Sequence, residues 1–344
     1  MSNVILAIIA LKLGISCIKR FAIRPIKLKM NLKKFSNADT VKVVELPEEL
    51  YRDYNDDDLL ENDVYRKYYE MFGKKIESIV PREDLDNYYR NFASVKEKKI
   101  SLKYKLSNFL KTGGMIAGGY HTRDNRIDLK SGAFSNLANT ISHELLHLSS
   151  TYYDEENETV YSGFYQLFIK KDKKKNEGYG LGLNEGYTQY LANKYFDNSK
   201  SLSLNAYLSL NTYKEEQIIA KGLEHIIGED KLQSMYFRAD LHSLVSELEK
   251  YATKDEIYKF INLTDLLCVY SRDKKLKIDE LDKAKEFINL FLMKAYIGSM
   301  KEKGITDKNN LLNFISECLP YKGVKYIPEV LRLKNSVDDS SFGK

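Results

Sequence analysis

The chain has 344 residues, 43% hydrophobic and 30% charged, long enough for a sizeable core and too apolar for wholesale disorder. Its 54 basic and 49 acidic residues leave a net charge of +5, an excess too small and too mixed to mark a nucleic-acid partner. Cys17, Cys268 and Cys318 are scattered and odd in number, so they imply neither a disulfide framework nor a cysteine metal site.

Val4 to Ile18 is nearly all apolar, broken by Lys12 and followed by Lys19, Arg20, Arg24, Lys27 and Lys29. The run is shorter than the roughly 20 residues of a spanning helix and carries a charge at its middle. Its start lacks the basic residues of a signal peptide. Two readings stay open. It is either a buried element of the fold or a membrane-associated segment through residues 4–18, and in the second case the basic residues would hold the rest on the cytoplasmic side. Location is therefore open between cytoplasmic and membrane-associated.

Residues 26–46 alternate apolar and basic positions, the pattern of one or two strands. From Pro47 to about Lys111 the pattern turns helical, most clearly over Leu59–Phe72 and Leu85–Val95. Pro81-Arg82-Glu83-Asp84 reads as a helix start. Asp56-Asp57-Asp58 reads as a solvated helix N-terminus and not as a metal cluster. Gly113-Gly114-Met115-Ile116-Ala117-Gly118-Gly119 lacks the order and the trailing Lys of phosphate-binding loops. Gly118 to Leu129 looks like a hairpin, or a strand after a turn, with so little side chain that a peptide could pair with its edge.

A helix starting at Ser135 or Asn136 and running to about Ser150 carries His143-Glu144-Leu145-Leu146-His147. Leu137, Ile141, Leu145 and Leu148 form its apolar stripe. Two His four positions apart on a helix lie one above the other, so both imidazoles can reach one metal ion. Glu144 follows the first of them and is placed to take a proton from a water at that metal. The basic run Lys170–Lys175 reads as a solvated loop. Asn184-Glu185-Gly186-Tyr187-Thr188 then opens another helix, with Glu185 lying 38 positions after His147. Residues beyond 200 read as mostly helical, with a loose tail over 334–344.

His143-Glu144-x-x-His147 followed by Asn184-Glu185 resembles the gluzincin metallopeptidases, the thermolysin-like enzymes and zinc aminopeptidases. Leu183-Asn184-Glu185-Gly186-Tyr187 is especially similar to the aminopeptidase segment that supplies the glutamate ligand. The resemblance covers roughly Gly113 to Leu191 and extends to an uncharacterised bacterial group of such enzymes. It implies His143, His147 and Glu185 as zinc ligands, Glu144 as general base, and a peptide or protein substrate. The metzincin pattern fails, because Leu148-Ser149-Ser150-Thr151-Tyr152-Tyr153 supplies no third His. The gap before Glu185 is longer than in gluzincins, which implies an inserted loop or hairpin around Tyr152–Gly178. Where the aminopeptidases place a Glu that holds the substrate amine, after Gly-x-Met, this chain has Ile116 and Ala117. An endopeptidase is therefore the preferred expectation over an aminopeptidase. The alternative is a zinc-stabilised, non-catalytic binding or surface protein with a peptidase-like fold. Gluzincins stabilise the oxyanion with a Tyr or His, and Tyr213, His225 and Tyr165 are the candidates. His121 and His242 are expected to be surface or structural.

The expected fold class is α+β, with a small β-sheet lobe before the active-site helix, a mostly helical C-terminal lobe and a zincin-like core. The expected regions are 1–46 (hydrophobic segment and strands), 47–112 (helical), 113–200 (zincin-like core) and 201–344 (helical).

Overall fold

The computed structural model describes Val43 and residues 66–93, 96–99, 118–122, 125–129, 137–169, 176–196, 213–270 and 279–322. Residues 4–18, most of 26–46, the Gly113–Ala117 run, Ser135–Asn136, the Lys170–Lys175 run and the 334–344 tail lie outside the described residues. The fold mixes helix and sheet, with about 70% of the described residues helical and two small sheets. Among the described residues, no helix is long and apolar enough to cross a membrane.

Helix α1 (Arg66–Ile79) is followed by a single 3-10 turn at Arg82–Asp84 and by α2 (Asp86–Phe92). The expected helix start at Pro81 is this 3-10 turn, and α2 itself begins at Asp86. Next come β1 (Lys96–Lys99), β2 (Gly118–His121) and β3 (Arg126–Leu129). Residues 118–129 form the expected hairpin, in which β2 runs antiparallel to β3 with Gly118 opposite Leu129. β1 lies parallel to β3 on its other side and departs from the helical expectation for this stretch. Lys-Glu-Lys-Lys has poor strand propensity, and the backbone pairing offered by β3 overrides it.

Helix α3 (Leu137–Ser149) carries the two histidines. Ile141, Leu145, Leu146 and Leu148 are all buried. The expected stripe is therefore joined by Leu146 on another arc of the helix. Packing partners α1, α2 and β2 surround α3.

The segment between α3 and Glu185 is a full antiparallel meander in place of the expected single loop or hairpin. Its strands are β4 (Thr151–Asp154), β5 (Thr159–Ser162), β6 (Tyr165–Phe168) and β7 (Glu177–Tyr179), hydrogen-bonded in sequential order. Helix α4 (Leu181–Leu191) follows at once and continues as a π-helical turn, Ala192–Phe196.

The C-terminal part is helical in the described residues, as expected. It comprises α5 (Lys214–Ile227), α6 (Glu229–Phe237), α7 (Leu241–Leu248), α8 (Lys254–Tyr270), α9 (Asp279–Glu302) and α10 (Lys308–Cys318). α4 is held between α5 and α8, and α5 in turn packs on α9 and α10. One continuous apolar core joins α1 and α2 through α3 and α4 to these helices.

Candidate metal centre

The helix carrying the two histidines ends at a hydroxyl-rich run. The last four carbonyls of a helix have no partner within it. Ser150 Oγ donates to Leu146 O (2.9 Å), Thr151 Oγ1 donates to His147 O (2.6 Å), and Asn91 Nδ2 from α2 donates to Leu148 O (2.8 Å). Short hydroxyl side chains that bond back to carbonyls compete with further helix, so the chain leaves α3 and starts β4 at once. The C-terminal turn bearing His147 is thereby fixed to α2 and to the meander.

Four antiparallel strands later, Glu185 sits in the second turn of α4 and faces both histidines. His143 Nε2 and His147 Nε2 lie 3.1 Å apart. Glu185 Oε2 is 3.4 Å from His143 Nε2, and Oε1 is 3.7 Å from His147 Nε2. Among the described residues, these three form the one group of His, Cys, Asp and Glu side chains that could hold a metal ion. The site is recessed, with the three side chains 11–18% exposed. Burial pushes the Glu185 carboxyl up, but the facing His147 and His143 imidazoles outweigh it and hold the group well below the usual carboxylate range. Glu185 is therefore ionised at neutral pH, the form that ligates a cation. Glu144 is buried beside its neighbour His143 at 7% exposure.

Around His147 lies a polar network. Thr188 Oγ1 is 3.5 Å from His147 Nδ1, 2.6 Å from Tyr236 Oη, and donates to Asn184 O at 2.7 Å. Burial raises the Tyr236 phenol, which stays protonated and can donate to Thr188. A hydroxyl has one donor and two acceptor sites. With its hydrogen on Asn184 O, Thr188 has room for hydrogens from both Tyr236 and His147 Nδ1. A proton on Nδ1 would leave Nε2 free for a metal, the arrangement in which a ligating imidazole donates its other N–H to a fixed acceptor, but the Asn184 amide competes for the same atom. Asn184 Nδ2 lies 3.3 Å from the same Nδ1, and its Oδ1 accepts the Phe164 N–H at 3.3 Å. The tight β5–β6 turn is thus fastened to the residue before Glu185. His143 Nδ1 is buried with no hydrogen-bond partner among the described residues.

The other candidates separate by position. Tyr213, the residue before α5, has its ring parallel to that of His143, with centroids 6.2 Å apart and planes 8° apart. It holds a left-handed backbone (φ 53°), a conformation that non-glycine residues adopt at a cost. Tyr165 lies on β6, and burial together with the charges of Asp265 and Glu185 pushes its phenol up to about 12. His225 is exposed near the far end of α5, edge-on to Tyr296 and Phe314. Twelve positions of helix separate it from Tyr213, about 18 Å at 1.5 Å per residue, so it is not brought to the triad. His121 and His242 belong to no metal-holding group among the described residues.

Sequence reasoning missed Asn184, Thr188 and Tyr236. The first two carried a usable signal, since on the same helix they stand one position before and three after Glu185. Comparison of the chain with protein-family models, curated proteins and solved structures finds no match.

Proposed function

We propose that the protein is a zinc-dependent peptidase with a zincin-like core, and that it cleaves internal peptide bonds. The observation that carries this reading is the convergence of His143, His147 and Glu185 from two helices, 38 residues apart between the last two. Four ligands placed tetrahedrally at the 2.0–2.1 Å typical of zinc lie about 3.3–3.4 Å from one another. The two imidazole nitrogens lie 3.1 Å apart and each faces its own Glu185 oxygen, at 3.4 and 3.7 Å; with one ligand atom taken from each residue, the three atoms lie within 4.8 Å of one another. Two imidazoles and one carboxylate also match the donor set of a catalytic zinc site, which keeps a fourth position for water.

When bound, zinc supplies a Lewis acid that lowers the pKa of a coordinated water toward about 7. Glu144, buried beside His143, would hold and move the proton: it would accept one from the attacking water and pass it to the departing amine nitrogen. Thr188 and Asn184 orient the His147 imidazole from its Nδ1 side, and Glu185 closes the site from the opposite helix. Tyr213, stacked on His143, is the favoured donor to the oxygen on which negative charge develops. Among the described residues β2 pairs with β3 alone, stands at the edge of its sheet, and packs against α3. An extended substrate backbone can add to such an edge, which suits cleavage within a chain. The positions that argue against an aminopeptidase, Ile116 and Ala117, lie outside the described residues.

The test is metal analysis of the purified protein together with Glu144→Gln assayed on casein and a peptide library. The expected result is about one zinc per chain in both proteins, with hydrolysis by the wild type alone. A zinc-free wild-type protein, or a Glu144→Gln variant as active as the wild type, rejects the reading. A zinc-loaded wild type that cleaves nothing points to the non-catalytic binding protein instead.

A further inference from the structure

The helix that presents Glu185 has no cap of its own. Gly180 precedes it with no side chain to offer, in a left-handed conformation (φ 88°). A Cβ at Gly180 would run into Phe164 O, so a Ser, Asp or Asn cap cannot be placed there. The cap comes from Asp265, in the interior of α8. Gly180 N donates to Asp265 Oδ2 at 2.7 Å, and Gly182 N donates to Oδ1 at 2.8 Å. One carboxylate thus takes two of the four amide hydrogens that a helix start leaves unpaired, with its charge at the positive end of the helix dipole. The fit is close, since a Cβ on Gly182 would lie 2.7 Å from Thr264 O. Burial nonetheless pushes the Asp265 carboxyl up to about 7 against the pull of the two amides. A buried acid is a costly way to cap a helix.

We propose that Asp265 is a positioning residue of the metal site: by holding the first turn of α4 against α8, it sets the register at which Glu185 meets His143 and His147. The inference rests on reading those three residues as a metal site. Gly182 and Glu185 are three positions apart, so they share a face of α4 and move together. A Glu carboxylate lies about 6 Å from its helix axis, so a 10° rotation of α4 displaces it by about 1 Å, half a metal–ligand bond. The two histidines sit on α3, which has anchors of its own through Asn91 and Thr151, so a rotation of α4 about its axis changes their separation from Glu185.

The experiment compares full-length wild type, Asp265→Asn, Asp265→Glu and a control, Leu248→Ala. Leu248 is fully buried in α7, two turns along the helix from Leu241, the α7 side chain that approaches Gly180, and is not a member of the triad. Zinc affinity is measured by chelator competition, the ligand field by the visible spectrum of the cobalt(II)-loaded proteins, and stability by thermal melting. Asp265→Asn, which keeps the shape but loses an acceptor, is expected to bind zinc about 10–100-fold more weakly, with an altered cobalt spectrum. Leu248→Ala should melt lower yet bind zinc and give the cobalt spectrum of the wild type. If Asp265→Asn does not fold, Asp265→Glu supplies the same comparison, with the charge kept and its reach changed. Wild-type affinity and spectrum in the Asp265 variant overturn the proposal, as does an equal loss of affinity in Leu248→Ala. A wild-type protein that binds no zinc overturns the metal-site reading itself, a distinct outcome.

Discussion

Replacing Glu185 by Ala removes the only one of the three proposed ligands that α4 contributes, and its effect can be worked from the site. In small zinc domains four ligands share about 10–16 kcal/mol of binding free energy, about 2.5–4 kcal/mol each. At about 1.4 kcal/mol per factor of ten, losing one ligand weakens zinc binding roughly 100- to 1000-fold. The metal-free fold should change little, because the carboxylate is partly exposed and its loss creates no cavity in the apolar core. These two statements combine in a thermal-shift assay. At free zinc 100 times the wild-type dissociation constant, the wild type gains about 2.7 kcal/mol. A variant bound 100-fold more weakly gains only about 0.4 kcal/mol at the same zinc concentration. The expected result is a melting temperature that rises with zinc in the wild type and scarcely moves in Glu185→Ala, with the two metal-free melts close together. A Glu185→Ala protein that shows the full zinc-dependent rise would refute the assignment of Glu185 as a ligand.

Three further outcomes follow from the same geometry. Thr188→Val removes a hydroxyl that touches both His147 Nδ1 and buried Tyr236; zinc affinity measured by titration should fall about tenfold or more, and stability by about 1–2 kcal/mol. Tyr213→Phe should leave zinc binding unchanged while lowering kcat on a peptide substrate about 100- to 1000-fold, the cost of losing one oxyanion donor. Gly180→Ala forces a side chain into a left-handed residue against Phe164 O, and denaturant unfolding should show a loss of at least about 1–3 kcal/mol.

The parts legible in the sequence were those written in short spacings. The four-residue interval between His143 and His147 specifies a shared helix face whatever surrounds it, and Asn184-Glu185-Gly186 marks the opposing helix by resemblance. The Gly118–Leu129 hairpin and the helical C-terminal part carried local turn and periodicity signals. The meander did not show itself, because four strands of three or four residues are too short for alternation to register. Its Tyr and Thr residues, such as Tyr161 and Thr159, are buried with no apolar–polar rhythm to betray them. Asp265 was equally hidden. In Leu263-Thr264-Asp265-Leu266 it reads as one polar position on an apolar helix, and its partners are 83 and 85 residues away. Contacts of that range arise from tertiary packing and leave no mark in a local window.

The meander also explains how Glu185 reaches the histidines across an interval longer than the resembling enzymes need. β4 starts immediately after α3, and β7 ends at Tyr179, just before Gly180 and α4. Four antiparallel strands are an even number, so the chain returns to the end of the sheet from which it left. Thr151 pairs with Ser162, Ser162 with Tyr165 and Gln166 with Tyr179, which places the start, the β5–β6 turn and the finish together at the site end. That turn then touches α4 directly through the Phe164 N–H on Asn184 Oδ1. The separation that matters to a metal ion is therefore set by the end of the sheet fastened to α3 and α4, and the length of the strands projecting away from it is free to vary. A 38-residue interval and a much shorter one can deliver the same carboxylate to the same two imidazoles, provided the strands between them come in pairs.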